Sequence, residues 1–109
     1  MIQVTVFRSN NQIESFELSG HADSGPYGYD LVCAGVSAVS IGAVNAVMEL
    51  CETDLEIEQG GEGGYLHVEI PRSLKGEKRE KAMLLFEGML VSLKSIEAEY
   101  GQFIRLENK

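Results

Sequence analysis

Leu31 to Met48 is a run of eighteen residues without a charge, and it constrains the chain more than any other segment. A run of this length is formally a membrane-span candidate. Here it is rich in Ala, Gly and Ser and includes Asn45, so its transfer into lipid is weak. Two amphipathic hairpin patterns flank it and offer a partner. We therefore read a buried core helix from about Leu31 to Cys51, returned to water by Glu49 and Glu52, and no membrane span. Gly35 and Gly42 cost helix stability. The compensating gain expected is close approach by a sheet or by a second subunit.

The flanks alternate. Residues 2–8 set Ile2, Val4 and Val6 against Gln3, Thr5 and Phe7, the period of a half-buried strand. Ser9-Asn10-Asn11 is turn chemistry. Residues 12–19 make a second strand, with Ile13 on the face of Ser15 and Glu17, and Phe16 and Leu18 on the other. Residues 54–59 and 65–70 repeat the pattern across a Gly60–Gly64 connection, and Pro71 ends the last strand. Residues 77–100 place Ala82, Leu85, Phe86, Met89, Leu93, Ile96 and Tyr100 at helical spacing. Phe103, Ile104 and Leu106 read as a short last strand or a docking tail. The order β-β-α-β-β-α, with or without that short C-terminal strand, predicts an α+β two-layer sandwich forming a single domain over residues 1–109.

The net charge of −8 argues against direct nucleic-acid binding. The basic residues between Arg72 and Lys81 are interleaved with Glu77 and Glu80. An acidic surface suits a basic partner better. Two cysteines do not make a disulfide framework. The first residues alternate like a strand and lack the order of a signal peptide. We read a cytoplasmic protein with free thiols. His67 lies on a strand without a ligand set, so no metal site is expected. The Gly60–Gly64 stretch lacks the Lys-Ser/Thr of a phosphate loop, and no cofactor motif is present.

The candidate chemistry sits in Gly20–Ser37, GHADSGPYGYDLVCAGVS. Asp30 is placed to cap the helix, which puts Cys33 at its third position. Backbone N–H groups there are free, and the positive end of the helix dipole favours a thiolate. His21, at the end of a strand, can be folded back to the thiol. Together these supply a nucleophile, a base and oxyanion donors. Ser37 is one turn beyond Cys33 on the same face. Bland readings stand beside these. Cys33 could be a small core hydrophobe, Asp30 a plain cap, Tyr27 and Tyr29 loop anchors instead of substrate-binding aromatics, and Cys51 structural. A Cys33–Cys51 redox pair is disfavoured, because one helix would hold them about 27 Å apart against the ~7 Å limit of a disulfide.

Gly20-His21-Ala22, a glycine-containing loop, then Gly28, Asp30, Val32-Cys33-Ala34 and Val36-Ser37 resemble the signature of the bacterial ribosomal-processing cysteine proteases. The resemblance covers the whole chain in length and element order. It implies Cys33 as nucleophile and His21 as general base and then general acid, with Asp30 and Ser37 at matching motif positions. It implies a loop over Ala22 to Tyr29 that is mobile until substrate binds. We expect Tyr27 or Tyr29 to line an apolar pocket for the residue before the cut, which in the family is aromatic. It further implies a cytoplasmic homodimer that removes a short amino-terminal extension from large-subunit ribosomal protein twenty-seven. The rival reading is a non-catalytic ribosome-assembly module that binds the same ribosomal protein without cutting it.

Overall fold

Strands β1 (Ile2–Ser9) and β2 (Gln12–Ser19) form an antiparallel hairpin. Asn10 and Asn11 join them with φ of 53° and 65°. Two left-handed residues in a two-residue loop make a type I′ turn, whose twist matches that of the strands. Register is regular from Gln3 opposite Ser19 to Phe7 opposite Ser15, but Arg8 then faces Ile13. Glu14 is therefore an extra residue, a β-bulge. Its carbonyl accepts the Ile70 N–H at 3.0 Å. The bulge reverses the alternation, so Ile13 is not on the face of Ser15 and Glu17 as expected. It is fully buried with Phe16 and Leu18.

Helix α1 (Pro26–Leu50) follows, then β3 (Glu56–Gln59), β4 (Tyr65–Glu69), α2 (Gly76–Tyr100) and β5 (Ile104–Asn108). The computed structural model describes residues 1–20, 26–60 and 64–109, with residues 26–30 described by backbone alone. The sheet order is β3-β4-β2-β1-β5. Its neighbours are antiparallel except β1 and β5, which pair in parallel. The C-terminal segment is thus a strand, and the sheet is mixed. With the two helices packed on it, the architecture is the α+β two-layer sandwich that the element order predicts.

The core has three contributors. Val4, Val6, Ile13, Phe16 and Val68 come from the sheet, and Ala82, Phe86, Met89, Leu90 and Leu93 from α2. From α1 comes a stripe of Val32, Val36, Ser40, Val44 and Val47 at three-to-four spacing. Phe16 and Phe86 meet edge to face, with ring centroids 5.1 Å apart. Part of α1 is not enclosed: Leu31, Ile41 and Leu50 are exposed. The helix is long and apolar enough to cross a membrane by length and composition, but its valine stripe is spent on the core. Neither Gly35 nor Gly42 serves a close approach among the described residues. A Cβ on Gly35 would make ordinary contact with Ile96 at 3.7 Å, and one on Gly42 would meet none of the described residues within 4 Å.

Arg8 ties the edges together. Its guanidinium donates to both Glu87 carboxylate oxygens at 2.7 and 2.8 Å and to Asn108 Oδ1 at 3.0 Å. The hydrogen bonds from Arg8 hold the Glu87 carboxyl below the usual range. In the row Thr5-Glu17-His67-Glu58 across four strands, His67 is a satisfied histidine. Nδ1 lies 3.2 Å from Glu17 Oε2, and Nε2 lies 3.3 Å from Glu69 Oε1. Partial burial lowers its pKa, but the hydrogen bonds and charges of Glu69 and Glu17 outweigh that, and the net direction is upward.

A raised imidazole pKa stabilises the fold most fully below the unfolded value, and the contribution is lost as pH rises through the folded one. Wild type should therefore exceed His67→Gln in melting temperature at about pH 6 by more than at about pH 8.5. A gap that stays constant over that range would show that the imidazolium contributes nothing.

Candidate active site

The site begins where β2 ends. Gly20 has φ of +89°, and its N–H donates to the Gly64 carbonyl at 2.8 Å. A Cβ built on Gly20 would collide with the Met1 carbonyl oxygen. Only glycine suits both the left-handed conformation and this approach. The next residue, His21, lies outside the described residues. What is fixed is its anchor, held between the first residue of the chain and the residue that leads into β4.

Helix α1 starts earlier than expected. Pro26 is its first residue, where proline's fixed φ and missing N–H are tolerated. Asp30 therefore lies within the helix and does not cap it. Cys33 is seven residues beyond Pro26, roughly two turns, and not at the third position. Its N–H lies inside the helical ladder, so the free N–H groups and the dipole of the helix end are not available at Cys33. Residues 26–29 are helical backbone, which removes the second half of the expected loop over Ala22 to Tyr29. Residues 22–25 and the side chains of Tyr27, Tyr29 and Asp30 lie outside the described residues.

Cys33 is a free, half-buried thiol. It lines a cavity of about 110 Å³ between α1 and one end of the sheet. Ile2, Leu18, Val36, Ile41 and Leu66 give this cavity an apolar wall, and Gly20 and Gly64 also line it. Ser37 and Ser40 follow Cys33 along the same side of α1, at helical spacing, and line it too. Ser37 is exposed and Ser40 buried. The fold therefore puts Cys33, Ser37 and the residue preceding His21 on one cavity. Cys51 is buried in the core and is also a free thiol, so the two cysteines form no disulfide. Among the described residues, no group of three or more His, Cys, Asp or Glu side chains is placed to hold a metal ion.

Ser40 and Gly64 join the site from beyond the Gly20–Ser37 stretch. Ser40 had a signal, since it lies two turns beyond Cys33. The contact of Gly20 with Met1 and Gly64 depends on strand pairing, which no local spacing reveals.

Comparison with known proteins gives a consistent answer. The family model described as cysteine protease Prp matches residues 1–105. The ribosomal processing cysteine protease Prp of Bacillus subtilis is 50% identical over 107 residues, covering 97% of this chain and 96% of that protein. Its Staphylococcus aureus counterpart is 40% identical over 108 residues, covering 99% and 97%. Among solved structures, S. aureus Prp with a covalently linked product peptide superposes with a TM-score of 0.88 at 39% identity, covering all of both chains. SMU.848 from Streptococcus mutans gives 0.87 at 35% identity, covering 99% and 93%.

Gly20→Ala is expected to lower both the unfolding midpoint in urea and the rate of peptide hydrolysis. The Cβ can be relieved only by moving the Met1 backbone or the β2 terminus. A variant with wild-type stability and turnover would show that the pinch at Gly20 places nothing.

Proposed function

The chain belongs to the cysteine protease Prp family, and we propose that it removes a short amino-terminal extension from a large-subunit ribosomal protein, with Cys33 as the nucleophile. The observation that carries this reading is the shared cavity. Cys33 forms part of its wall and Gly20, the residue before His21, another part. The ribosomal processing performed by its relatives supports the substrate class.

In this mechanism His21 takes the proton of Cys33, and the thiolate attacks the scissile carbonyl. The tetrahedral oxyanion collapses, His21 protonates the leaving amine, and a thioester remains on Cys33. His21 then takes a proton from water, whose oxygen attacks the thioester carbonyl. Collapse of this second intermediate releases the new carboxyl end and restores Cys33. With Cys33 well inside α1, its own N–H is not the oxyanion donor. Ser37 is exposed on the same cavity and donates to the substrate. Asp30 orients His21, and Tyr27 and Tyr29 flank the residue before the cut. The same reading places the protein in the cytoplasm with the ribosomal proteins it processes, as a homodimer. Exposed Leu31, Ile41 and Leu50 on α1, and Leu84 and Val91 on α2, offer apolar surface for a second copy to cover.

Incubation with the full-length ribosomal protein from the same genome, read by product mass, should give a single amino-terminal cut by wild type. Cys33→Ala and His21→Ala should lower the rate by at least about a thousandfold, and replacing both tyrosines should slow it measurably. Binding without cutting by wild type and Cys33→Ala alike would instead make this an assembly module and remove the role given to His21. Sedimentation equilibrium should return twice the monomer mass, and a monomer at all concentrations would remove the homodimer.

A further inference from the structure

Both helices pack on one face of the sheet. The other face carries the side chains that alternate with the core positions, in rows set by the strand register. Two of these rows are acidic. The row Thr5-Glu17-His67-Glu58 extends to Glu107 on β5, and its neighbour sets Glu69 against Glu56. Arg105 opposes them only from the far edge, on β5. Glu56, Glu58, Glu69 and His67 line a groove of about 390 Å³ on this face. His67 engages Glu17 and Glu69, but Glu56, Glu58 and Glu107 have no ion pair among the described residues. Tyr65 connects the face to the active site. It lines the cavity that Cys33 also lines, and its hydroxyl donates to Glu17 Oε2 at 3.4 Å. Desolvation, and then the charges of Glu17 and Glu58, push the Tyr65 phenol up.

We propose that this sheet face docks the basic part of the substrate protein that follows the cut. A ribosomal protein neutralises RNA phosphates with Lys and Arg, and a chain of net charge −8 attracts such a partner. The layout suits an extended polypeptide better than an ion. Among the described residues, no three His, Cys, Asp or Glu side chains are grouped to hold a metal ion, whereas the carboxylates follow the strands away from the cavity. Tyr65 to Glu69 spans about 14 Å at ~3.4 Å per residue, the reach of roughly four extended residues. A second copy of this chain fits the face badly, because glutamates would meet glutamates. The extension removed is short, so the basic body of the substrate lies on the carboxyl side of the bond. The inference rests on the ribosomal substrate proposed above and deepens it: Cys33 cuts the bond, and the acidic face holds the protein that contains it.

The test compares wild type with a triple variant of the face, Glu56→Gln, Glu58→Gln and Glu69→Gln. A control triple, Glu77→Gln, Glu80→Gln and Glu99→Gln, removes the same charge from α2. All six side chains are exposed, so both variants should keep the wild-type melting temperature. The substrates are the full-length ribosomal protein and two peptides spanning its mapped cut. The peptides carry a run of Lys, or of Gln, from about three residues beyond the bond. The face variant should raise KM for the full-length protein and the Lys peptide by roughly 5- to 10-fold, with kcat unchanged. It should cut the Gln peptide as wild type does, and about 0.5 M NaCl should abolish the difference on the other two. The control should match wild type throughout. An unchanged KM in the face variant, or an equal rise in the control, overturns the docking face. Binding of the full-length protein to Cys33→Ala, with and without the face substitutions, reads the same contact in the absence of cleavage. If wild type leaves that protein uncut while the face substitutions still weaken its binding to Cys33→Ala, the peptidase reading falls and the docking face stands.

Discussion

The contact on which the site depends is the pinch at Gly20. Its carbon has no room for a side chain beside the Met1 carbonyl, and its N–H is engaged by Gly64. Met1 is itself located by pairing further along, because the Ile2 N–H donates to Phe103 and β5 runs parallel to β1. The C-terminal strand, the N-terminal strand and the β3–β4 connection therefore meet where the chain leaves β2. Whatever residue 21 does, it does from an origin held by three segments distant in sequence. An origin just past the end of a central strand limits the positions open to whatever follows it.

Opposite this origin stands α1, which joins the core to the site. One stripe of valines is bound to the sheet and α2, and that binding fixes the rotation of the helix about its axis. Cys33, Ser37 and Ser40 share a side that this rotation turns toward the cavity. The position of the thiol is thus a consequence of hydrophobic packing two turns and more away. A rotation large enough to withdraw Cys33 would also unseat Val36 and Val44. Pro26 starts the helix too early for the dipole to act at Cys33, so lateral packing does the positioning that the cap at Asp30 was expected to do.

Much of the fold was legible because its signals are local. The alternation in β1, the Asn10-Asn11 turn and the helical spacing from Ala82 to Tyr100 each lie within a few residues, and each element formed as read. The features that escaped depend on partners. Glu14 becomes a bulge because β1 and β4 pair on either side of β2, and only then does Ile13 turn inward. The start of α1 at Pro26 was hidden by Gly25 and Gly28, which read as loop chemistry although proline is well suited to a first helical turn. The Gly20-His21 and Val32-Cys33-Ala34 motifs each contribute one residue, Gly20 and Cys33, to the wall of a single cavity. The cavity joining them, with Ser40 deep in its wall, arises only when helix and sheet are brought together.

The composition of α1 follows from these overlapping demands. A helix that only filled a core would carry large aliphatic residues where this one has Gly35, Ala38 and Gly42, and intrachain packing requires neither glycine. A helix that crossed a bilayer would not spend its valines on a sheet. Here the valines serve the fold, the Cys33-Ser37-Ser40 line serves the cavity, and Leu31 and Leu50 stay exposed. Small residues are what allow three such faces to coexist within 25 residues, because each face can be approached closely without displacing the others. The run that first suggested a membrane span is apolar because its valine stripe lies in the core and its Cys33-Ser37-Ser40 line faces the cavity, and a buried charge would be costly on the first.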